Sequence, residues 1–313
     1  MNTAEQILAG VTSDAFDHDS RFARFGPSNF WMRFLVFLND FTLFLLRRSL
    51  PAGRRARAAI LPLLRLYEEH GIARSDIQSF IKESALELAE LPTFPIRKMQ
   101  WAGESIPAEV ERIPTMLEVD ALRFYTWIGR TLDLGGTAVE LGSWMGASTA
   151  SIALGLRRNK SFRGRKLHVF DTFIWQDWMS QYSTDPALSA RYSNGDCFID
   201  EFLLNCKDVA EILCITRCRP ETVENEGFGG LNKWDGGPIG VIVIDHSDQY
   251  QANVQAWSMF APSFVANKTV VIFNQYGNLR AEELRRFCRD RRRELKPLYQ
   301  LDCSGRAFQF VGM

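Results

Sequence analysis

Near the middle of the chain, Val139-Glu140-Leu141-Gly142-Ser143-Trp144-Met145-Gly146-Ala147-Ser148-Thr149 brings together a carboxylate, two glycines and several hydroxyls. Gly142 would let the chain turn sharply after an apolar run. Gly146 would let the backbone approach a ligand with no Cβ in the way. Ser143 falls within the turn. Ser148 could cap a helix whose unpaired N–H groups suit a polar or anionic ligand. Glu140 would offer a carboxylate to a cationic or hydroxyl-bearing ligand. The bland alternative is a tight strand-to-helix turn that binds nothing. Two more acids follow apolar runs further along, Asp171 and Asp245, the latter beside His246.

These residues need a frame. Short apolar runs, most of them rich in Val and Ile, occur at Ala138–Leu141, Leu167–Phe170, Ile212–Ile215, Gly240–Ile244 and Thr269–Phe273. Helical stretches such as Ser148–Arg157 and Gln251–Phe260 lie between some of them. Buried strands alternating with helices predict a doubly wound, Rossmann-like α/β sheet, mostly parallel, with right-handed crossovers. Leu298–Leu301 and Arg306–Val311 predict a final antiparallel hairpin around Ser304-Gly305. A glycine turn after the first strand of such a sheet lies where these folds bind ligands.

Ahead of this region the texture differs. Residues 1–28 read as a flexible arm, 29–114 as a helical region with a proline-marked linker (Pro92, Pro95, Pro107), and 115–313 as the α/β domain. The apolar stretch Phe30–Leu46 contains Arg33, Asn39 and Asp40 and falls short of the roughly 20 apolar residues of a membrane span. It reads first as a buried or dimer-interface helix. The second reading is peripheral membrane contact through residues 30–57, aided by Arg47, Arg48, Arg54, Arg55 and Arg57. The N-terminus lacks the pattern of a secretion signal.

The chain of 313 residues has 37 Lys+Arg against 37 Asp+Glu, a balance that argues against nucleic acid as partner. Cys197, Cys206, Cys214, Cys218, Cys288 and Cys303 contain no C-x-x-C, and with only His18, His70, His168 and His246 no zinc motif can be assembled. Free thiols in a reducing cytoplasm are expected.

The pattern Glu-x-Gly-x-x-x-Gly-x-Ser, followed by Val169-Phe170-Asp171-Thr172-Phe173 and by Val243-Ile244-Asp245, resembles class I S-adenosylmethionine-dependent methyltransferases. More narrowly it is similar to the macrocin O-methyltransferase branch, metal-dependent enzymes that methylate sugar hydroxyls in natural products. The likeness runs from about Leu117 to the C-terminus. It implies S-adenosylmethionine as cofactor, with Glu140, Gly142 and Gly146 lining the methionine side and Ser143, Ser148 and Asp245 counted in the site. It implies that Asp171, with Thr172 beside it, accepts hydrogen bonds from the ribose hydroxyls. Glu221-Thr222 resembles a Pro-Glu-Thr element near the adenine. The plain alternatives are a solvated turn or helix cap for Asp171 and a helix start for Glu221.

The resemblance also implies a divalent cation such as Mg²⁺, held by an Asp after the fourth strand and an acidic pair after the fifth. This chain offers Asp245, with Asp248 three residues on, but Asn274 and Gln275 where the acids belong. Replacing two carboxylates by amides removes two negative charges from the cage, so metal affinity should fall. A side-chain base would then be needed. His246, beside Asp245, is the catalytic candidate, its ordinary pKa of roughly 6.5 suiting proton transfer. Tyr250 and Asp248 rank lower, and a loop histidine without a role is the plain alternative. The insert Ile174–Asp200, with Trp175, Trp178, Tyr182 and Tyr192, reads as a lid or acceptor-binding segment or as a packed surface loop.

Two functions compete. The first is an O-methyltransferase acting on a small-molecule hydroxyl, a sugar among the candidates, in a homo-oligomer. The second is a methyltransferase-like module without chemistry that serves assembly, its partner surface supplied by the N-terminal helices. A dinucleotide site is disfavoured by the absence of G-x-G-x-x-G.

Overall fold

The computed structural model describes residues 100–131, 135–162, 164–181, 186–218, 234–276, 281–301 and 305–312. All of them lie in the unit Phe94–Met313. The expected arm and N-terminal helices, the Phe30–Leu46 stretch, Glu221-Thr222, Tyr182 and Cys303 fall outside the described residues.

Seven strands form one sheet: β1 (Thr137–Leu141), β2 (Leu167–Asp171), β3 (Leu213–Arg217), β4 (Ile239–Ile244), β5 (Val270–Phe273), β6 (Leu295–Gln300) and β7 (Arg306–Phe310), in the order β3-β2-β1-β4-β5-β7-β6. The first five pair in parallel, and β7 and β6 close the edge antiparallel. The expected doubly wound sheet with a terminal hairpin is therefore present. Both faces are covered. Ala138, Val169, Val243 and Ile272 pack into one apolar cluster, while Val139, Leu141, Phe170, Ile242, Ile244 and Phe273 pack into the other. That alternation is the two-residue period of a strand, and burial on both sides explains why the strands read as unbroken apolar runs.

Seven α-helices accompany the sheet: α1 (Ala108–Glu111), α2 (Val119–Thr131), α3 (Ala147–Arg158), α4 (Pro186–Arg191), α5 (Ile199–Asn205), α6 (Tyr250–Phe260) and α7 (Glu282–Asp290) among the described residues. Helices α2 and α3 meet backbone to backbone. A Cβ on Gly129 would lie 2.5 Å from the Ile152 carbonyl oxygen, and one on Gly155 would lie 2.3 Å from that of Thr126. Among the described residues, no helix is long and apolar enough to cross a membrane.

The chain winds outward from β1 through β2 to β3, then returns to β4 on the other side of β1. The carboxyl ends of β1 and β4 thus flank a switch point, the place where open α/β sheets leave a crevice for ligands. Leu141 and Ile244 are register partners there.

Candidate functional site

The turn after β1 is pinned on both sides. The Gly142 N–H donates to the Phe170 carbonyl at 2.9 Å, and the Asp245 N–H donates to that of Leu141 at 2.8 Å. Gly142 has φ +82°, and a Cβ there would lie 2.6 Å from the Asp245 carbonyl oxygen. The glycine is required by this close crossing of the two strand ends as well as by its left-handed backbone.

Gly146, at φ +92°, is the N-cap of α3. Its missing Cβ does not open room for a ligand, as the sequence suggested. The space is filled by Cys206 Sγ, 2.5 Å from where the Cβ would be, and by the Phe202 ring at 3.1 Å. Asn205 Nδ2 donates to the Met145 carbonyl at 3.0 Å, so the end of α5 seals this side of the turn. Nor does Ser148 cap the helix: α3 begins at Ala147, and no side chain caps it. Ser148 lies inside the first turn, buried, with its hydroxyl directed to Glu140.

Asp171 ends β2, as expected, and its carboxylate turns into the glycine loop. Oδ2 accepts the Ser143 N–H at 2.7 Å, the Ser143 hydroxyl at 3.2 Å and the Trp144 N–H at 3.0 Å. Oδ1 accepts the Phe173 N–H at 2.7 Å. Trp144 and Phe173 both hold positive φ, of 45° and 52°. Asp171 therefore holds two strained turns in place, with charge-assisted bonds to their N–H groups. Thr172 beside it is half-buried.

Glu140 is fully buried on the face of β1 that α3 covers. Thr149 donates its hydroxyl to Oε2 at 2.5 Å, and Oε1 is buried without a hydrogen-bond partner among the described residues. Burial pushes the carboxyl up to about 7, the Ser148 and Thr149 hydroxyls pull the other way, and the charges of Asp245 and Asp171 add to the rise.

Asp245 follows β4. Its Oδ2 accepts from Asn274 Nδ2 at 2.9 Å and its Oδ1 from Gln275 Nε2 at 3.2 Å. On the far side, the Tyr125 hydroxyl of α2 donates to Asn274 Oδ1 at 2.5 Å. Desolvation raises the Asp245 carboxyl to about 6, the two amides oppose that, and Asp171 adds to it. Asn274 and Gln275 thus direct nitrogen, not oxygen, toward Asp245, in line with the lowered metal affinity expected from replacing two carboxylates by amides. Among the described residues, no group of three or more His, Cys, Asp or Glu is arranged to hold a metal ion.

His246 lies next to this network, and its surroundings alter the proposed role. Burial lowers its pKa to about 4, opposed by a backbone hydrogen bond with Ala252 in α6. A neutral imidazole of that acidity is a weaker proton acceptor than the sequence suggested.

Sequence reasoning missed Tyr125, Thr149 and Cys206. Tyr125 reads as one more aromatic on the buried side of α2, and its partner is 149 residues away. Thr149 stands at the end of the glycine motif, nine residues from Glu140, a spacing that crosses a strand, a turn and a helix start.

Residues 139–276 match the sequence model of a family described as a methyltransferase domain. No curated protein matches the chain. Among solved structures, the O-methyltransferase NovP is similar at 19% identity over 64% of this chain and 83% of its own, with a TM-score of 0.48. The O-methyltransferase from Bacillus cereus in complex with SAH is similar at 14% identity, covering 66% and 84%, with a TM-score of 0.40. CalS11, described as a TDP-rhamnose 3'-O-methyltransferase of calicheamicin biosynthesis, is similar at 16%, covering 61% and 76%, with a TM-score of 0.38. The matched stretch begins within β1 and ends just past Asn274 and Gln275, so it spans both sides of the switch crevice.

Proposed function

We propose that this domain uses S-adenosylmethionine to methylate a hydroxyl of a small molecule, with a sugar as the first acceptor class to test. One observation carries the cofactor reading. Glu140, Asp171 and Asp245 gather at the carboxyl ends of three neighbouring strands, and Oε1 of the buried Glu140 has no hydrogen-bond partner among the described residues. Among the described residues, the hydrogen bonds the three accept come from N–H, hydroxyl and amide groups, none from a cationic side chain. One buried and two half-buried carboxylates held close together repel one another, and a cationic ligand relieves that cost. S-adenosylmethionine carries positive charge on its sulfur and amino groups and supplies the methyl. Within that reading, Glu140 orients the charged end of the ligand. Asp171 keeps Ser143 and Trp144 in the shape that frames it, and Asp245 faces the acceptor side from β4. Rate would come mainly from positioning donor and acceptor in line.

A second reading is a domain that keeps the fold and serves in assembly. It is favoured by the engagement of both Asp171 oxygens with the protein's own N–H groups. Titration calorimetry with S-adenosylmethionine and S-adenosylhomocysteine separates the two. The enzyme reading expects saturable binding of both, and a loss of roughly ten-fold or more, about 1.4 kcal/mol, in Glu140→Gln. A folded protein that binds neither compound leaves the assembly reading.

A further inference from the structure

Both oxygens of the Asp245 carboxylate are met by amide N–H groups, from Asn274 at 2.9 Å and Gln275 at 3.2 Å. The Asp245 carboxylate, which can only accept, fixes which way round the first amide sits: the nitrogen is the end turned to it, and the Tyr125 hydroxyl donates to the Oδ1 left on the other side. Reversed, that amide would set its oxygen against a carboxylate oxygen, lone pair to lone pair. Tyr125 and Asn274 are both buried, so the arrangement is locked in by packing from α2 and β5.

A divalent cation bound to Asp245 would have to share the carboxylate with these N–H groups, which take one lone-pair direction on each oxygen. It would also face the positive ends of their dipoles. Hard cations need charged or carbonyl oxygens around them, and the amides here present nitrogen.

We infer that Asn274 and Gln275, with Tyr125 behind them, are a built-in substitute for a divalent cation. Two N–H donors fix and partly offset the charge of Asp245, and the position is closed to metal. This deepens the proposed function by defining the metal requirement of the same site, and rests on that reading only for what the site serves.

The test is Mn²⁺ titration of the full chain without cofactor, following free Mn²⁺ by electron paramagnetic resonance. The wild-type protein is expected to leave Mn²⁺ free up to millimolar concentration. Asn274→Asp/Gln275→Glu, which exchanges both donors for carboxylate oxygens, is expected to gain one saturable site. A stoichiometric Mn²⁺ site in the wild type overturns the inference. So does a double variant that keeps the wild-type circular dichroism and gains no site. Should the double variant not fold, Asn274→Asp alone and the wild-type titration still decide. A protein that ignores Mn²⁺ and also fails to bind S-adenosylhomocysteine refutes the proposed function but not this inference. One that binds both does the reverse.

Discussion

The Thr149 hydroxyl reaches Oε2 of Glu140 at 2.5 Å, while Oε1 of the same buried carboxylate has no hydrogen-bond partner among the described residues. The pair sits where β1 meets α3, so its energetics are those of the turn between them. The carboxyl titrates near 7 in the folded protein against an ordinary 4.5. Between those values the folded form keeps a proton that the unfolded chain has released. Stability therefore falls as pH rises from the lower value through the higher, and levels off above it, by on the order of 3 kcal/mol in all. Asp245, raised to about 6, contributes in the same direction. Urea unfolding at about pH 5 and about pH 8 should show the decline, and Glu140→Gln should flatten it. An unchanged slope in that variant would assign the effect elsewhere.

Gly129→Ala and Gly155→Ala should each destabilise the domain. In an exposed helix the change to alanine gains about 1 kcal/mol. Here the added carbon would fall 2.5 Å or 2.3 Å from a backbone carbonyl of the opposing helix, which cannot rotate away. Overpacking of roughly 2–3 kcal/mol should win. Thermal unfolding followed by tryptophan fluorescence reads the sign directly; a raised midpoint would mean that the helices can separate at little cost.

Gly146→Ala should be damaging for two separable reasons, its φ of +92° and its contact with Cys206. Cys206→Ala removes the sulfur that stands in the way. The double variant should therefore recover about 1 kcal/mol relative to the sum of the single changes, with the backbone strain left over. Strict additivity in chemical denaturation would show that the thiol does not limit the space.

Asp171→Asn replaces an acceptor of four hydrogen bonds by an amide with one oxygen. Its nitrogen would face an N–H of Ser143, Trp144 or Phe173. A stability loss of about 1–3 kcal/mol is expected, together with weaker binding of S-adenosylhomocysteine. Amide exchange at residues 143 and 144 should accelerate. If binding weakens while exchange and stability stay unchanged, Asp171 contacts the ligand directly instead of shaping the turn.

Much of the frame was legible because β1, β2, β4 and β5 are buried on both faces and so advertise themselves as short apolar runs. Helix α7 (Glu282–Asp290) was not. Only Leu284, Phe287 and Cys288 provide its apolar side, amid charged residues that include the buried Arg285. Phe287 earns its place through Trp257, at 5.8 Å between ring centres, a contact no local pattern reveals. The aromatic insert misled in part. Trp175 and Tyr192 stack on each other, 5.5 Å apart, inside the core, whereas Trp178 is 44% exposed. At the site, residue types at strand ends were readable: Gly142, Asp171 and Asp245 all lie where the motif put them. Hydrogen-bond direction was not, since whether an amide presents oxygen or nitrogen depends on groups far away in sequence, Asp245 on one side of Asn274 and Tyr125 on the other.

The seal that Cys206 makes over Gly146 gives the protein a built-in clock. Its thiol is buried, and both desolvation and the nearby Glu140 charge hold it in the protonated, unreactive form. An alkylating reagent can reach that sulfur only when the end of α5 lifts away. The rate of its modification, against that of the exposed Cys214, thus counts how often the covering over the β1 turn comes off.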